Sequence, residues 1–72
     1  MNNRFLIGGF IMRTYVITVF DYTGEKLLDE AFKAYTDEEA KEISSARLEA
    51  KGYSTHTHRC VSEDAKLVLF HQ

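Results

Sequence analysis

Apolar and polar positions along this chain fall into four stretches with strand character and one with helical period, separated by turns. Nearly every position over residues 13–22 is β-branched or aromatic, from Thr14, Tyr15 and Val16 through Ile17, Thr18, Val19 and Phe20. That pattern predicts a strand apolar on both faces, hence central in its sheet. Thr23-Gly24 predicts a hairpin turn, with Gly24 at positive φ. Residues 26–35 then return as a second strand. A two-residue turn sets Phe20 opposite Leu27, Val19 opposite Leu28, Ile17 opposite Glu30 and Tyr15 opposite Phe32. One face then carries Tyr15, Ile17, Val19, Leu28 and Phe32 as core. Asp29, Glu30 and Lys33 make the return strand the more polar one, as suits a sheet edge.

Residues 36–51 carry the signals of a complete helix. Thr36 is an N-cap with Glu39 three residues on, a capping box. Asp37, Glu38 and Glu39 load the first turn, and Arg47 and Lys51 lie at the other end, so both ends complement the macrodipole. Gly52 stands where a left-handed residue closes a helix. The period predicts a small-sided inner stripe of Ala40, Ile43, Ala46, Arg47 and Ala50. Arg47 on that stripe is expected to reach the rim or pair with a carboxylate such as Glu30.

Residues 54–62 read as a third, polar strand and residues 66–71 as a fourth, apolar on both faces, with Glu63-Asp64-Ala65 as the turn between them. The order β-β-α-β-β predicts an α+β domain: a four-stranded, mostly antiparallel sheet with one helix on one face. Placing apolar strands in the middle and polar ones outside gives the sheet order 2-1-4-3, with strands 1 and 4 parallel at the centre. Because small helix side chains fill little volume, Phe20, Leu27, Val68 or Phe70 are expected to stay exposed on the far sheet face.

Composition narrows the function classes. The chain has 72 residues, 44% hydrophobic and 28% charged, which reads as one small soluble domain. Nine basic residues are scattered among eleven acidic ones, for a net charge of −2. A nucleic-acid binder needs a basic face or stripe, so that partner is disfavoured, and nothing points to an acidic membrane surface. No apolar run is long enough to span a bilayer. The lone Cys60 excludes an intrachain disulfide and fits a reducing, cytoplasmic setting.

Residues 1–11 stand apart. Arg4 and the apolar run after it imitate a signal peptide, but Arg13 interrupts the run and no cleavage site follows. Ile7-Gly8-Gly9 can instead be encoded AUA-GGA-GGN, which contains the ribosome-binding element AGGAGG, with Phe10 and Ile11 as spacer before an AUG at Met12. This predicts that residues 1–11 are a non-native leader and 12–72 the single α+β domain. The alternative is an N-terminal arm that docks or pairs as a strand. A leader predicts that deleting residues 1–11 leaves stability unchanged within about 0.5 kcal/mol; an arm predicts a loss above about 2 kcal/mol.

The candidate chemistry lies in Thr55-His56-Thr57-His58-Arg59-Cys60. Alternate strand residues share a face, so His56, His58 and Cys60 would line one side about 6.6 Å apart. Imidazole and thiolate are zinc-type ligands, but three in a row along a strand span too far for one ion. His71 on the next strand would have to contribute, and a turn at Glu63-Asp64 sets His56 opposite His71. The candidate metal set is therefore His56, His58 and His71, with Cys60 as a further ligand; the plain reading is a core cysteine and rim histidines. No catalytic residues are assigned. Cys60 and His58 lack an oxyanion donor and an orienting acid, and Asp21, Glu25, Asp29 and Glu30 read as solvated charges. Gly8-Gly9 lacks the context of a phosphate loop, and no cofactor is expected.

The segments Val16-Ile17-Thr18-Val19-Phe20, Lys26-Leu27-Leu28-Asp29-Glu30, Thr36-Asp37-Glu38-Glu39-Ala40-Lys41, Lys51-Gly52-Tyr53, His56-Thr57-His58-Arg59-Cys60 and Lys66-Leu67-Val68-Leu69-Phe70-His71 resemble the YhzD-like family, small proteins of Bacillus and its relatives. The resemblance runs from Met12 to the C-terminus. It implies a bacterial cytosolic source and assigns no catalytic residues. The reading that follows is a non-enzymatic module acting through protein contacts, as a homo-oligomer or with another protein. Metal binding through His56, His58, His71 and Cys60 is the alternative.

Overall fold

The chain folds, in a computed structural model describing residues 11–71, as β1 (Arg13–Phe20), β2 (Lys26–Ala34), α1 (Asp37–Lys51), β3 (Thr57–Ser62) and β4 (Leu67–His71). The expected leader lies outside the described residues except for Ile11, which is exposed. The β1–β2 hairpin keeps the expected register at Tyr15↔Phe32, Ile17↔Glu30 and Val19↔Leu28. The register then shifts, so Phe20 meets Lys26 rather than Leu27. Asp21 causes this: its carboxylate accepts from the Thr23 and Glu25 amides at 2.8 and 2.9 Å, closing a wider loop than two residues. Gly24, at φ 90°, makes the reversal.

The helix is bounded as its residues dictate. Thr36 accepts from the Glu39 amide at 3.0 Å, and Glu39 accepts from the Tyr35 amide at 2.6 Å. The capping box is thus shifted by one residue on its return arm. At the other end Gly52 is left-handed at φ 77°. Its amide donates to Glu49 O and the Tyr53 amide to Leu48 O, which satisfies the last carbonyls.

The inner stripe is corrected. Ala40, Ser44 and Leu48 are the buried helix residues, and Ala46 and Ala50 face solvent. Ser44, which the expected stripe left out, is wholly buried near Cys60, and its hydroxyl has no hydrogen-bond partner among the described residues. Arg47 does pair with Glu30, at 3.1 Å, with its guanidinium 5.1 Å from the centre of the Phe32 ring. The core is Tyr15, Ile17, Val19, Phe32, Ala34, Ala40, Leu48, Cys60 and Val68.

The sheet order is β2-β1-β3-β4, and every neighbouring pair is antiparallel. This overturns the expected 2-1-4-3 with its central parallel pair. The helix carries the chain back along β1, so β3 leaves it running against β1 and fills the adjacent slot with an antiparallel ladder. β4 could have taken that slot only as a parallel strand, the slightly weaker pairing. The polar residues of β3 are sorted by face: His58, Cys60 and Ser62 are buried, and Arg59 is exposed.

Candidate functional site

Cross-strand partners share a face, so the register assigns every β-residue to one side of the sheet. The helix covers the side carrying Tyr15, Ile17, Val19, Phe32, His58 and Cys60. A hydrogen bond from the Tyr15 hydroxyl to Asp37 at 2.8 Å fixes the helix start there. Asp37 also meets Lys66 at 2.8 Å, so one carboxylate joins β1, the helix and the start of β4. The Lys66 ammonium, then the Tyr15 hydroxyl, hold the Asp37 carboxyl below its ordinary range. Burial, then the Asp37 bond, pushes the Tyr15 phenol up to about 12.

The histidines are placed otherwise than expected. His71 lies opposite His58, not His56, because β4 begins after a turn through Ala65 and carries an extra residue, Val68, between the pairs Val61↔Leu67 and Cys60↔Leu69. His56 falls before β3, in the turn after the helix, where its ring leans on Tyr53 with centroids 5.1 Å apart. His58 is buried and stacks on His71 with centroids 5.3 Å apart. Its Nδ1 lies 2.8 Å from His56 O, and since a carbonyl only accepts, Nδ1 carries the proton in that bond. In that tautomer the ring's lone pair is on Nε2. Cys60 is wholly buried opposite Ile17, and burial pushes its thiol up against the smaller opposing effect of Ser44. Among the described residues no three His, Cys, Asp or Glu side chains converge on a metal position. The structure therefore brings together His58 and His71 and separates His56 and Cys60 from them.

Among the described residues no helix lies over the far side of the sheet. Ala31, Val16, Val61 and Leu67 lie there in successive cross-strand pairs, an apolar row spanning all four strands. Beside it runs a second row of Asp29, Thr18, Arg59 and Phe70. Leu67 and Phe70 are 54% and 53% exposed, large values for side chains of this size in a strand. Of the residues expected on this face, Phe70 is exposed, Phe20 and Leu27 are half-buried, and Val68 is buried in the core. The row containing Ala31 and Val61 is invisible without the register, because each residue stands alone in its own strand.

A single antiparallel sheet, one helix on one face and an apolar row on the other define a small α+β protein of the β-β-α-β-β type. Within that class the chain belongs to the YhzD-like protein family, whose profile matches residues 12–72. A relative from Bacillus subtilis (strain 168), described as "Uncharacterized protein YhzD", is 44% identical over 61 residues, covering 85% of this chain and 100% of the relative. No solved structure matches. Among the described residues no helix is long and apolar enough to cross a membrane.

Proposed function

We propose that this chain is a non-enzymatic module that works through protein contacts, its own copies included. The observation that carries this reading is the apolar row Ala31–Val16–Val61–Leu67 on the uncovered sheet face, with Phe70 beside it. Contiguous exposed apolar surface rimmed by polar groups marks interaction sites, and Lys33, Asp29 and Arg59 supply the rim. Sedimentation velocity over a wide concentration range tests the reading. A mass that rises with concentration supports it; a monomer at every concentration, with no protein bound through this face, refutes it.

One observation favours a second reading, metal binding. The stacked His58 and His71 rings offer two imidazoles at one point, and the His56 carbonyl fixes the orientation of His58. Two such ligands give a weak site open to further donors. Calorimetric titration with zinc decides it: saturable heat at micromolar zinc that His71→Ala abolishes supports the site, and no heat dismisses it.

A further inference from the structure

The two edges of the sheet are built differently. β2, on one side, carries Lys26, Asp29, Glu30 and Lys33 along its length, the charges that discourage pairing with another chain. β4, on the other, reads Leu-Val-Leu-Phe-His, with no carboxylate, lysine or arginine between Leu67 and His71. It pairs only with β3, so its outer row of amide and carbonyl groups has no ladder partner among the described residues. A strongly apolar segment, Leu67–Phe70, thus sits at an edge, where sheets ordinarily place charge.

We infer that a second copy of this chain pairs with β4 at that edge, antiparallel about a twofold axis, to make a continuous eight-stranded sheet. The inference rests on the protein-contact reading above and names its partner. Antiparallel pairing about a twofold is complementary to itself: each copy offers the other an edge of the same length, with the same donors, acceptors and side chains. Because Leu67–Phe70 is uncharged, nothing along it calls for a partner of opposite charge, and a net charge of −2 per copy adds little repulsion. The axis is perpendicular to the sheet, so both helices lie on one side and both apolar rows join on the other. In the register that sets Leu67 of one copy opposite Phe70 of the other, these half-exposed side chains cover one another across the new ladder. In the assembled sheet β4 becomes an interior strand, which is the position its composition calls for. A five-residue edge buries little area, so the dimer is a weak one of the small-interface class.

Hydrogen exchange of the full chain, read by peptide at several concentrations beside sedimentation, tests the inference. Two variants separate edge from face. Phe70→Lys places like charges together at the paired edge. Ala31→Lys charges the uncovered face on β2, about 14 Å away across three strands. The expected result is protection of residues 67–71 that rises with the dimer fraction, at least tenfold weaker dimerisation in Phe70→Lys, and unchanged dimerisation in Ala31→Lys. Unchanged melting of both variants at low concentration shows that folding is intact. A dimer that Ala31→Lys abolishes, with β4 exchange independent of concentration, overturns the edge pairing and leaves self-association through the face. Protection of β4 that does not vary with concentration means that the chain covers its own edge, and also overturns it. A monomer throughout overturns the pairing and the self-association reading together.

Discussion

Asp37 ties β1, the helix and the start of β4 together through one carboxylate, and with Asp21 and Asp64, whose carboxyls are also held low, it contributes to the pH dependence of the fold. Its carboxyl is held low by Lys66 and Tyr15, so the stability it contributes is present above the ordinary carboxylate range. That stability is lost as pH falls through the lowered folded value. Tyr15 and Lys66 are both raised, and so contribute in the opposite sense: their stabilisation is present at neutral pH and lost as pH rises. For Tyr15 the loss runs from its ordinary value of 10.0 to about 12. Thermal melting followed against pH is therefore expected to fall on both sides, with Tyr15→Phe removing part of the alkaline limb and Asp37→Asn part of the acid limb. Cys60 makes a separate prediction. Its thiol is buried and raised, so thiolate is scarce, and a thiol reagent is expected to react at the rate of unfolding. Fast labelling of the native protein would contradict this placement. Ala65 stands at φ 66° in the β3–β4 turn, a conformation that costs a side chain about 1 kcal/mol. Ala65→Gly is expected to raise the melting temperature slightly, which calorimetry checks.

Helix and hairpins were legible in the sequence to different depths. The helix could be read almost whole because its signals are local: Thr36, Glu39 and Gly52 act within a turn of themselves. Thr36→Ala is expected to cost about 1 kcal/mol, and Gly52→Ala about the same because its left-handed backbone disfavours a side chain; urea unfolding measures both. The helix phase differs from the expected one at Ser44, because a serine counts as polar in the pattern and yet this one is wholly buried without a hydrogen-bond partner among the described residues. The β1–β2 register was legible to within its last pair because hydrophobic alternation fixes it. The β4 register was not, because Val68 is an extra residue opposite β3, and a bulge leaves no mark in the hydrophobic pattern. That residue, together with a turn one residue longer than expected through Ala65, is why His71 meets His58 rather than His56.

The whole molecule shows where composition and topology part. An apolar strand reads as a central strand, and for β1 that holds, with β2 and β3 on either side. For β4 the chain's path decides instead: a helix that returns along β1 delivers β3, not β4, to the central slot. Nothing in a single chain's sequence distinguishes a strand that is interior in the monomer from one that becomes interior on pairing. Of the four candidate ligands only His58 and His71 are neighbours, and the sequence could not show this because they meet only through a long-range register. The sheet pairing is tested most directly by isotope-filtered nuclear Overhauser measurements on a dimer mixed from labelled and unlabelled copies. Edge pairing predicts intermolecular backbone contacts confined to residues 67–71 of both copies. Intermolecular contacts only among Val16, Ala31 and Val61, or none at all, would contradict it.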